Sequence, residues 1–279
     1  MNRLNWSTLK HMAVSPLMMR WRAEHPRPDT EALKLGRAIH CLVLEGEDVF
    51  RDRWATSTQC AATTKAGTDC GSAGTLFHDW LWYCRVKGHA PAGAGAPPAD
   101  MEVIDSQARE VAHVCANSLL THAEAQRTLS NGSGEQELEW EFDGVACRGR
   151  LDYLREYVVD LKTTRYGTPR EFMRDAATHL YHGQLAWYHD GAVRAGRIAD
   201  DAETPRIVSV ETAEPYDVAV YQCPPEVLEA GRLVYRDLLR KYQECNAAGW
   251  WPGHSPDLRY VELPKWADGM QLAEEITDW

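Results

Sequence analysis

The sequence predicts an α/β fold, a central sheet flanked by helices, and three observations carry that prediction. Strand-like runs rich in β-branched and aromatic residues alternate with helical periodicity through the second half of the chain. Two of those runs are joined by Asp143-Gly144, the residue pair of a tight hairpin. A third run is followed by Thr168-Pro169-Arg170-Glu171, a capping box with proline in the first helical position.

Taken in order, residues 7–23 read as a short helix carrying Leu9, Met12, Leu17 and Met18, with Trp6 just ahead of it. Residues 30–45, "TEALKLGRAIHCLVLE", read as a helix with Leu35, Ile39, Leu42 and Val43 on one side. Residues 55–99 break the pattern: they are rich in Thr, Gly and Ala and end in "APAGAGAPPA", a linker by composition. Helical spacing returns over 100–129, with Asp100 as the cap and Val103, Ile104, Val111, Val114 and Leu119 recurring. After the loop "SNGSGE" come "QELEWEF", the Asp-Gly turn, "VACRGRLDYL" and "YVVDLKT", three strands. The helix announced by Thr168 is expected to run to about Asp190. "RIVSVET" and "DVAVYQC" supply two more strands, "PPEVLEAGRLVYRDLLRKYQECNAAG" a long amphipathic helix, and a Trp- and Pro-rich tail follows. No internal repeat is visible.

A chain of 279 residues with 44% hydrophobic content suits one large domain, or one domain with an insertion. No run of 18 apolar residues suggests a membrane span. The start, "MNRLNWSTLKHM", lacks the pattern of a signal peptide, so a cytoplasmic protein with reduced thiols is expected. The net charge of −11 argues against broad, non-specific nucleic-acid binding but leaves room for a local basic strip. Arg148, Arg150, Arg155, Lys162, Arg165, Arg170 and Arg174 fall within 27 residues. Guanidinium forks match phosphate oxygens, and a solvated basic face fits the same residues equally well.

The unusual stretch is "RGRLDYLREYVVDLKTT", which places Asp152, Asp160 and Lys162 in otherwise apolar strands. Alternation puts Asp160 and Lys162 on one face. If the chain turns near Arg155–Glu156, Asp152 falls opposite Asp160, with Cβ atoms roughly 5 Å apart. Two carboxylates at that range repel unless a cation sits between them, and Mg²⁺ takes such oxygen ligands together with water and phosphate. Lys162 then stands where it can orient a water or stabilise charge on phosphorus. The Asp-x-Lys triplet alone is uninformative: with 41 acidic residues in the chain, about one acid-x-Lys match is expected by chance. The signal lies in the constellation, with Gln184 and Tyr188 at i, i+4 on the next helix and His40 beside Gly36 and Arg37 on an early one. Glu137, on the first strand, is a further candidate carboxylate, although the alternation of Glu135, Glu137 and Glu139 also suits a solvated face.

"LGRAIH", "GRLDYL", "VVDLKTT" and "QLAWY" together resemble the PD-(D/E)XK nuclease superfamily, and most nearly the RecE (exonuclease VIII) type of phage and prophage exonuclease. The likeness runs from "NWSTLK" to the "WWPGH" tail, a single nuclease domain over 1–279 with 55–99 inserted. The resemblance implies a restriction-endonuclease-like core, a mixed sheet flanked by helices. It implies that Asp152, Asp160 and His40 bind Mg²⁺ (or Mn²⁺), that Lys162 is the catalytic lysine, and that Gln184 and Tyr188 contact the site or the DNA backbone. It further implies hydrolysis of linear double-stranded DNA from the 5′ end to leave 3′ single-stranded tails for recombination, an annealing partner of the RecT type, and a homo-oligomeric ring such as a tetramer. Arg37, Arg148, Arg150 and Arg165 are the candidate DNA contacts, and Arg20 and Arg22 are further guesses for a 5′-phosphate.

Within the insertion, Cys60, Cys70, Cys84 and His89 are spaced C-x9-C-x13-C-x4-H, with His78 as an alternative fourth ligand. Three thiolates and an imidazole suit tetrahedral Zn²⁺, which can stabilise a segment too Gly-rich to build a core; three reduced cysteines in a loop are the plainer reading. Cys147, Cys223 and Cys245 lie too far apart for an iron–sulfur cluster and, with Cys41 and Cys115, are expected in the core. Two other functions fit the same motifs. One is a DNA-end-binding adaptor that uses the Cys/His insertion. The other is a nuclease of the same fold with endonuclease or single-strand specificity.

Overall fold

The structure is a computed structural model that describes residues 3–59, 73–77, 80–84, 101–165, 168–255 and 257–262. Its elements, in chain order, begin with α1 (Trp6–Leu9), a 3-10 turn (Lys10–Ala13), α2 (Pro16–Glu24) and α3 (Glu31–His40). The last of these widens into a π-helical turn over Cys41–Glu45 and is followed by α4 (Glu47–Arg53). Next come β1 (Trp54–Gln59), β2 (Ala73–Phe77), β3 (Trp80–Cys84), β4 (Glu102–Asp105), α5 (Ser106–Thr121) and α6 (Ala123–Thr128). The remainder is β5 (Ser133–Phe142), β6 (Val145–Leu154), β7 (Val158–Thr164), α7 (Pro169–Thr178), α8 (Tyr181–Arg194), β8 (Arg206–Glu211), β9 (Val218–Gln222) and α9 (Pro225–Ala248).

The main sheet has the order β5-β6-β7-β8-β9 and is mixed, because β7 and β8 run parallel while the other pairs are antiparallel. The hairpin forms as its Asp-Gly predicts: Phe142 pairs with Val145, and Asp143 and Gly144 take φ of +47° and +78°. Two cores lie on opposite faces. On one, Leu138, Trp140, Leu151, Val158 and Ile207 meet α8 and α9 through Leu185, Trp187, Leu228 and Tyr235. On the other, Val159, Leu161, Val208 and Val210 meet α3 and α5 through Ile39, Cys115 and Leu119. Successive residues of β7 and β8 thus enter opposite cores, as expected of strands buried on both faces. Trp187 and Tyr157 are essentially solvent-free; burying each large apolar side chain contributes roughly 1.5–3 kcal/mol. Cys41, Cys115, Cys147 and Cys223 are buried and Cys245 is half-buried.

Four expectations need correction. The first helix is broken in three, because Ser15 caps a new helix through Met18 N–H and Pro16 stands at its first position. Residues 55–99 are not a patternless linker throughout: β1, β2 and β3 lie there, in a second sheet of order β3-β2-β1-β4. β1 and β4 run parallel and bury Trp54 and Ile104 in the second core. The helix expected from Asp100 begins after a strand, and its cap is Asp105, whose carboxylate accepts the Ala108 N–H at 2.8 Å. The helix from Thr168 stops at Thr178 and restarts at Tyr181, with Leu180 left-handed between at φ +56°. Among the described residues no helix is long and apolar enough to cross a membrane.

Helices α8 and α9 approach closely where Gly231 faces the backbone of His182: a Cβ at 231 would lie 2.1 Å from the His182 carbonyl oxygen. Backbone cannot yield as a side chain can. Gly231→Ala is therefore expected to destabilise the protein by about 1–3 kcal/mol, read as a lower urea midpoint at unchanged slope; an unchanged midpoint would refute this packing.

Candidate active site

Strands β6 and β7 pair only at Tyr153↔Val159 and Leu154↔Val158. Earlier along β6, its free edge is taken by the N-terminal segment: Leu4 N–H donates to the Ala146 carbonyl and Arg148 N–H to the Leu4 carbonyl, at 2.9 and 2.8 Å. The stretch between, up to Asp152, borders a fork. Continuing the register by one residue sets Asp152 opposite Asp160, as the sequence suggests, but a side chain spans the gap in place of a backbone ladder. The Asp152 carboxylate accepts the Leu161 N–H at 2.7 Å.

The other predicted residues gather here. His40, at the end of α3, brings Nδ1 to 3.6 Å from Asp152 Oδ1. Gln184 on α8 donates from Nε2 to Asp160 Oδ1 at 3.1 Å. Lys162 Nζ lies 2.5 Å from Asp160 Oδ2. Tyr188, one turn beyond Gln184, packs its ring on Gly149, where a Cβ would come within 2.9 Å of it; only glycine leaves that room. Asp160 is 2% exposed, and the side chains of Lys162 and Asp152 are 17% and 18% exposed.

Burial and charge pull the two aspartates apart. Burial pushes Asp160 up to about 6, against the pull of Lys162 and with the help of Asp152. Burial also acts to raise Asp152, but His40, Lys162 and the Leu161 N–H outweigh it and hold Asp152 below the usual carboxylate range. Burial alone would lower His40 and Lys162; the carboxylates more than offset it, Asp152 chiefly for His40 and Asp160 chiefly for Lys162, and both stay above their ordinary values. Burial raises Tyr188 as well, reinforced by Asp160 and Asp152.

Among the described residues no three His, Cys, Asp or Glu side chains form a ready-made metal cage. The residues nevertheless fit a hard divalent cation. Asp160 Oδ2 is buried, and among the described residues the Lys162 ammonium at 2.5 Å is its polar partner. Asp152 and His40 stand beside it, and Mg²⁺ commonly takes only one or two carboxylates and fills the rest of its shell with water and phosphate.

The candidate DNA contacts are placed less simply. Arg37 lines a cavity with His40 and Asp152, but its fork is engaged by Asp29 at 2.8–2.9 Å and by Glu102. Arg148 and Arg150 face Glu139 and Glu137 across the hairpin, and Arg150 pairs with Glu135. Arg165 is exposed just past β7. Arg20 reaches Glu24 and the Trp251 ring. Glu137 thus faces an arginine, not the aspartates. Cys60, Cys70, His78 and His89 lie outside the described residues; Cys84 closes β3.

Three residues near the site are not singled out from the sequence, which offers Glu135 only as part of a solvated face. Glu135, with its backbone left-handed at φ +52°, sits across from Asp152 and feels its charge and that of His40. Counting back from the Asp143-Gly144 turn would have found it, since the hairpin register pairs Gln136 with Leu151. Tyr181 holds its ring 5.0 Å from Lys162 Nζ. Lys10 is half-buried, and burial lowers it, aided by Arg27 and Lys162. No motif marks the last two.

The model of a family described as "PDDEXK-like domain of unknown function (DUF3799)" matches residues 99–264. Of solved structures, one from Eubacterium rectale, called a "Putative exonuclease", aligns at TM-score 0.58 over 97% of this chain and 92% of its own, with 12% identity, a likeness of fold. A second, SSO0001, aligns at TM-score 0.27 and 20% identity over 49% of this chain and 63% of its own, too distantly to support an argument. No curated protein matches.

The raised Asp160 carboxyl has a stability consequence. Because its folded value is about 6 against an ordinary 3.8, the native state binds a proton that the unfolded chain has released, so its contribution is full below pH 4 and lost as pH rises through 6. Asp160→Asn is expected to remove that dependence. The wild type should lose stability relative to the variant between pH 4 and pH 6–7, by on the order of 2–3 kcal/mol. Urea midpoints measured across this range check it, and a difference that does not change with pH counts against the buried, raised carboxyl.

Proposed function

Because this chain belongs to the PDDEXK-like domain family that matches more than half of it, we propose that it is a metal-dependent nuclease, and more narrowly a Mg²⁺-dependent exonuclease acting on the ends of linear double-stranded DNA. The observation that carries the reading is the meeting of Asp152, Asp160 and Lys162 at one fork of the sheet. Asp152 and Asp160, with His40, would hold the cation, which when bound supplies Lewis-acid polarisation of the phosphate and lowers the pKa of a coordinated water.

The chain's own groups do the rest. Gln184 fixes the orientation of Asp160 by its hydrogen bond. Lys162 is charged and little exposed, so its ammonium is an effective partner for the extra negative charge that develops on the phosphate. Asp152 is fixed by both Leu161 and His40, and its oxygens are thereby preorganised. Tyr188, seated on Gly149, opens onto a cavity of about 360 Å³ lined by Arg148, Arg150 and Asn5, a place for the neighbouring backbone of the DNA strand. The 5′-to-3′ reading is supported by the resemblance of the four motifs to RecE-type enzymes; the description of the Eubacterium rectale protein as a "Putative exonuclease" supports only the end-directed part. The ring-shaped oligomer, the annealing partner and the role in recombination rest on that resemblance alone.

With Mg²⁺, a linear 5′-phosphorylated duplex is expected to be degraded while a covalently closed circle survives. Asp160→Ala and Lys162→Ala should each slow hydrolysis by at least about 10²-fold. Persistent cleavage by Asp160→Ala, free of contaminating nuclease, removes the assigned site. Binding of ends without degradation by the wild type turns the reading to an end-binding adaptor.

A further inference from the structure

Among the described residues Lys162 has two close partners, and the second has no place in the reading so far. The Tyr181 ring centroid lies 5.0 Å from its Nζ, within the range in which an aromatic face attracts a cation. Tyr181 opens α8. The residue before it, Leu180, is left-handed, with φ +56° and ψ +43°. A leucine in that region is strained, and such strain persists only where the surroundings impose it. The imposed turn ends α7 and starts α8 anew, with Gln184 N–H donating to the Leu180 carbonyl at 3.1 Å. One local distortion thereby sets two side chains of the site, Gln184 on Asp160 and Tyr181 on Lys162. The ring is held from the side as well: His179 stacks on it at 5.8 Å and Phe172 leans on it at 6.2 Å.

The two partners of Lys162 differ in kind. Asp160 attracts it strongly, but an ammonium fixed on that carboxylate is withheld from phosphate, and a cation bound by Asp160 weakens the pair. An aromatic face attracts the ammonium through its quadrupole and occupies none of its three N–H donors with a lone pair. The ammonium can turn from Asp160 towards a phosphate oxygen without leaving the ring. Resting on the nuclease reading above, we propose that Tyr181 is the positioning residue of Lys162: its ring face, not its hydroxyl, keeps the ammonium in reach of the phosphate.

The test replaces Tyr181 with phenylalanine and then with mono-, di- and trifluorophenylalanine, which drain the ring quadrupole at nearly constant shape. Tyr181→Phe is expected to keep kcat on linear duplex, and fluorination to lower kcat step by step, by about tenfold at the trifluoro ring, with KM unchanged. A flat fluorine series, or a Tyr181→Phe variant as impaired as Tyr181→Leu, overturns the proposal, and a structural role alone would not grade with fluorine. A second arm needs no activity. The Lys162 ε-methylene protons, assigned with Lys162→Arg, should show a ring-current shift in wild type and Tyr181→Phe that Tyr181→Leu lacks. Equal shifts in all three overturn the contact. A wild type that shows the shift but cuts no DNA rejects the nuclease reading instead, and with it any role for the ring in hydrolysis.

Discussion

The parting of β6 from β7 is the constraint on which the rest of the site depends. Had the two strands stayed paired beyond Tyr153 and Val159, the Leu161 N–H would be spent on a neighbouring backbone and Asp152 would stand on a closed sheet. Instead β7 runs on with its parallel partner β8 on its other edge, and the vacated edge of β6 is closed by Leu4. A buried backbone donor left open costs on the order of 1–3 kcal/mol, and the Asp152 carboxylate meets that need from the side. The aspartate therefore serves the fold as well as the proposed chemistry. It is anchored where the sheet would otherwise have a fault, and its second oxygen faces His40.

The same fork explains why two aspartates of like type behave differently. Asp152 gains a backbone donor and an imidazole, and its charge is favoured. Asp160 lies deeper, between core valines and leucines on β7, and meets an amide and a lysine. Burial dominates there and resists the charge. Two carboxyls whose environments separate their titrations mark a site whose local charge is adjustable. The proposed cation, held between them, would lower the repulsion that Asp152 exerts on Asp160, so that its binding and the ionisation of Asp160 would favour each other.

The sequence shows the parts of this site that are set by local periodicity. Asp160 and Lys162 share a face because strands alternate, Gln184 and Tyr188 because helices repeat, and the hairpin register follows from Asp143-Gly144. It hides what depends on distant contacts. The break at Leu180 is invisible because leucine is an ordinary helix former, and only tertiary packing holds it left-handed. The strands of the second sheet are hidden because "WATSTQ" and "WLWYC" sit in Gly- and Ala-rich surroundings, so composition masks their β-branched and aromatic residues. The fork itself has no signature: Leu4 must travel from the far end of the chain to make it.

The arginines supply the last step. Read as a cluster in sequence, they suggest a basic strip; in space most of those near the site already have acidic partners. Around the cavity that holds His40 and Asp152, Arg37 engages Asp29 and Glu102, Arg53 engages Glu45, and Arg150 engages Glu135. These pairs are partly or fully exposed, and such pairs are weak, so a phosphate can still exchange for a carboxylate at little cost. Their more telling effect is on the acids. Glu45, Glu102 and Glu135 are each claimed by a guanidinium, whereas Asp152 and Asp160, among the described residues, meet no arginine. Their cationic neighbours are an imidazole and a single ammonium steadied on an aromatic ring. Arginines that pair with the nearby glutamates and leave two buried aspartates to an imidazole and one ammonium give the arrangement that the proposed cation would need.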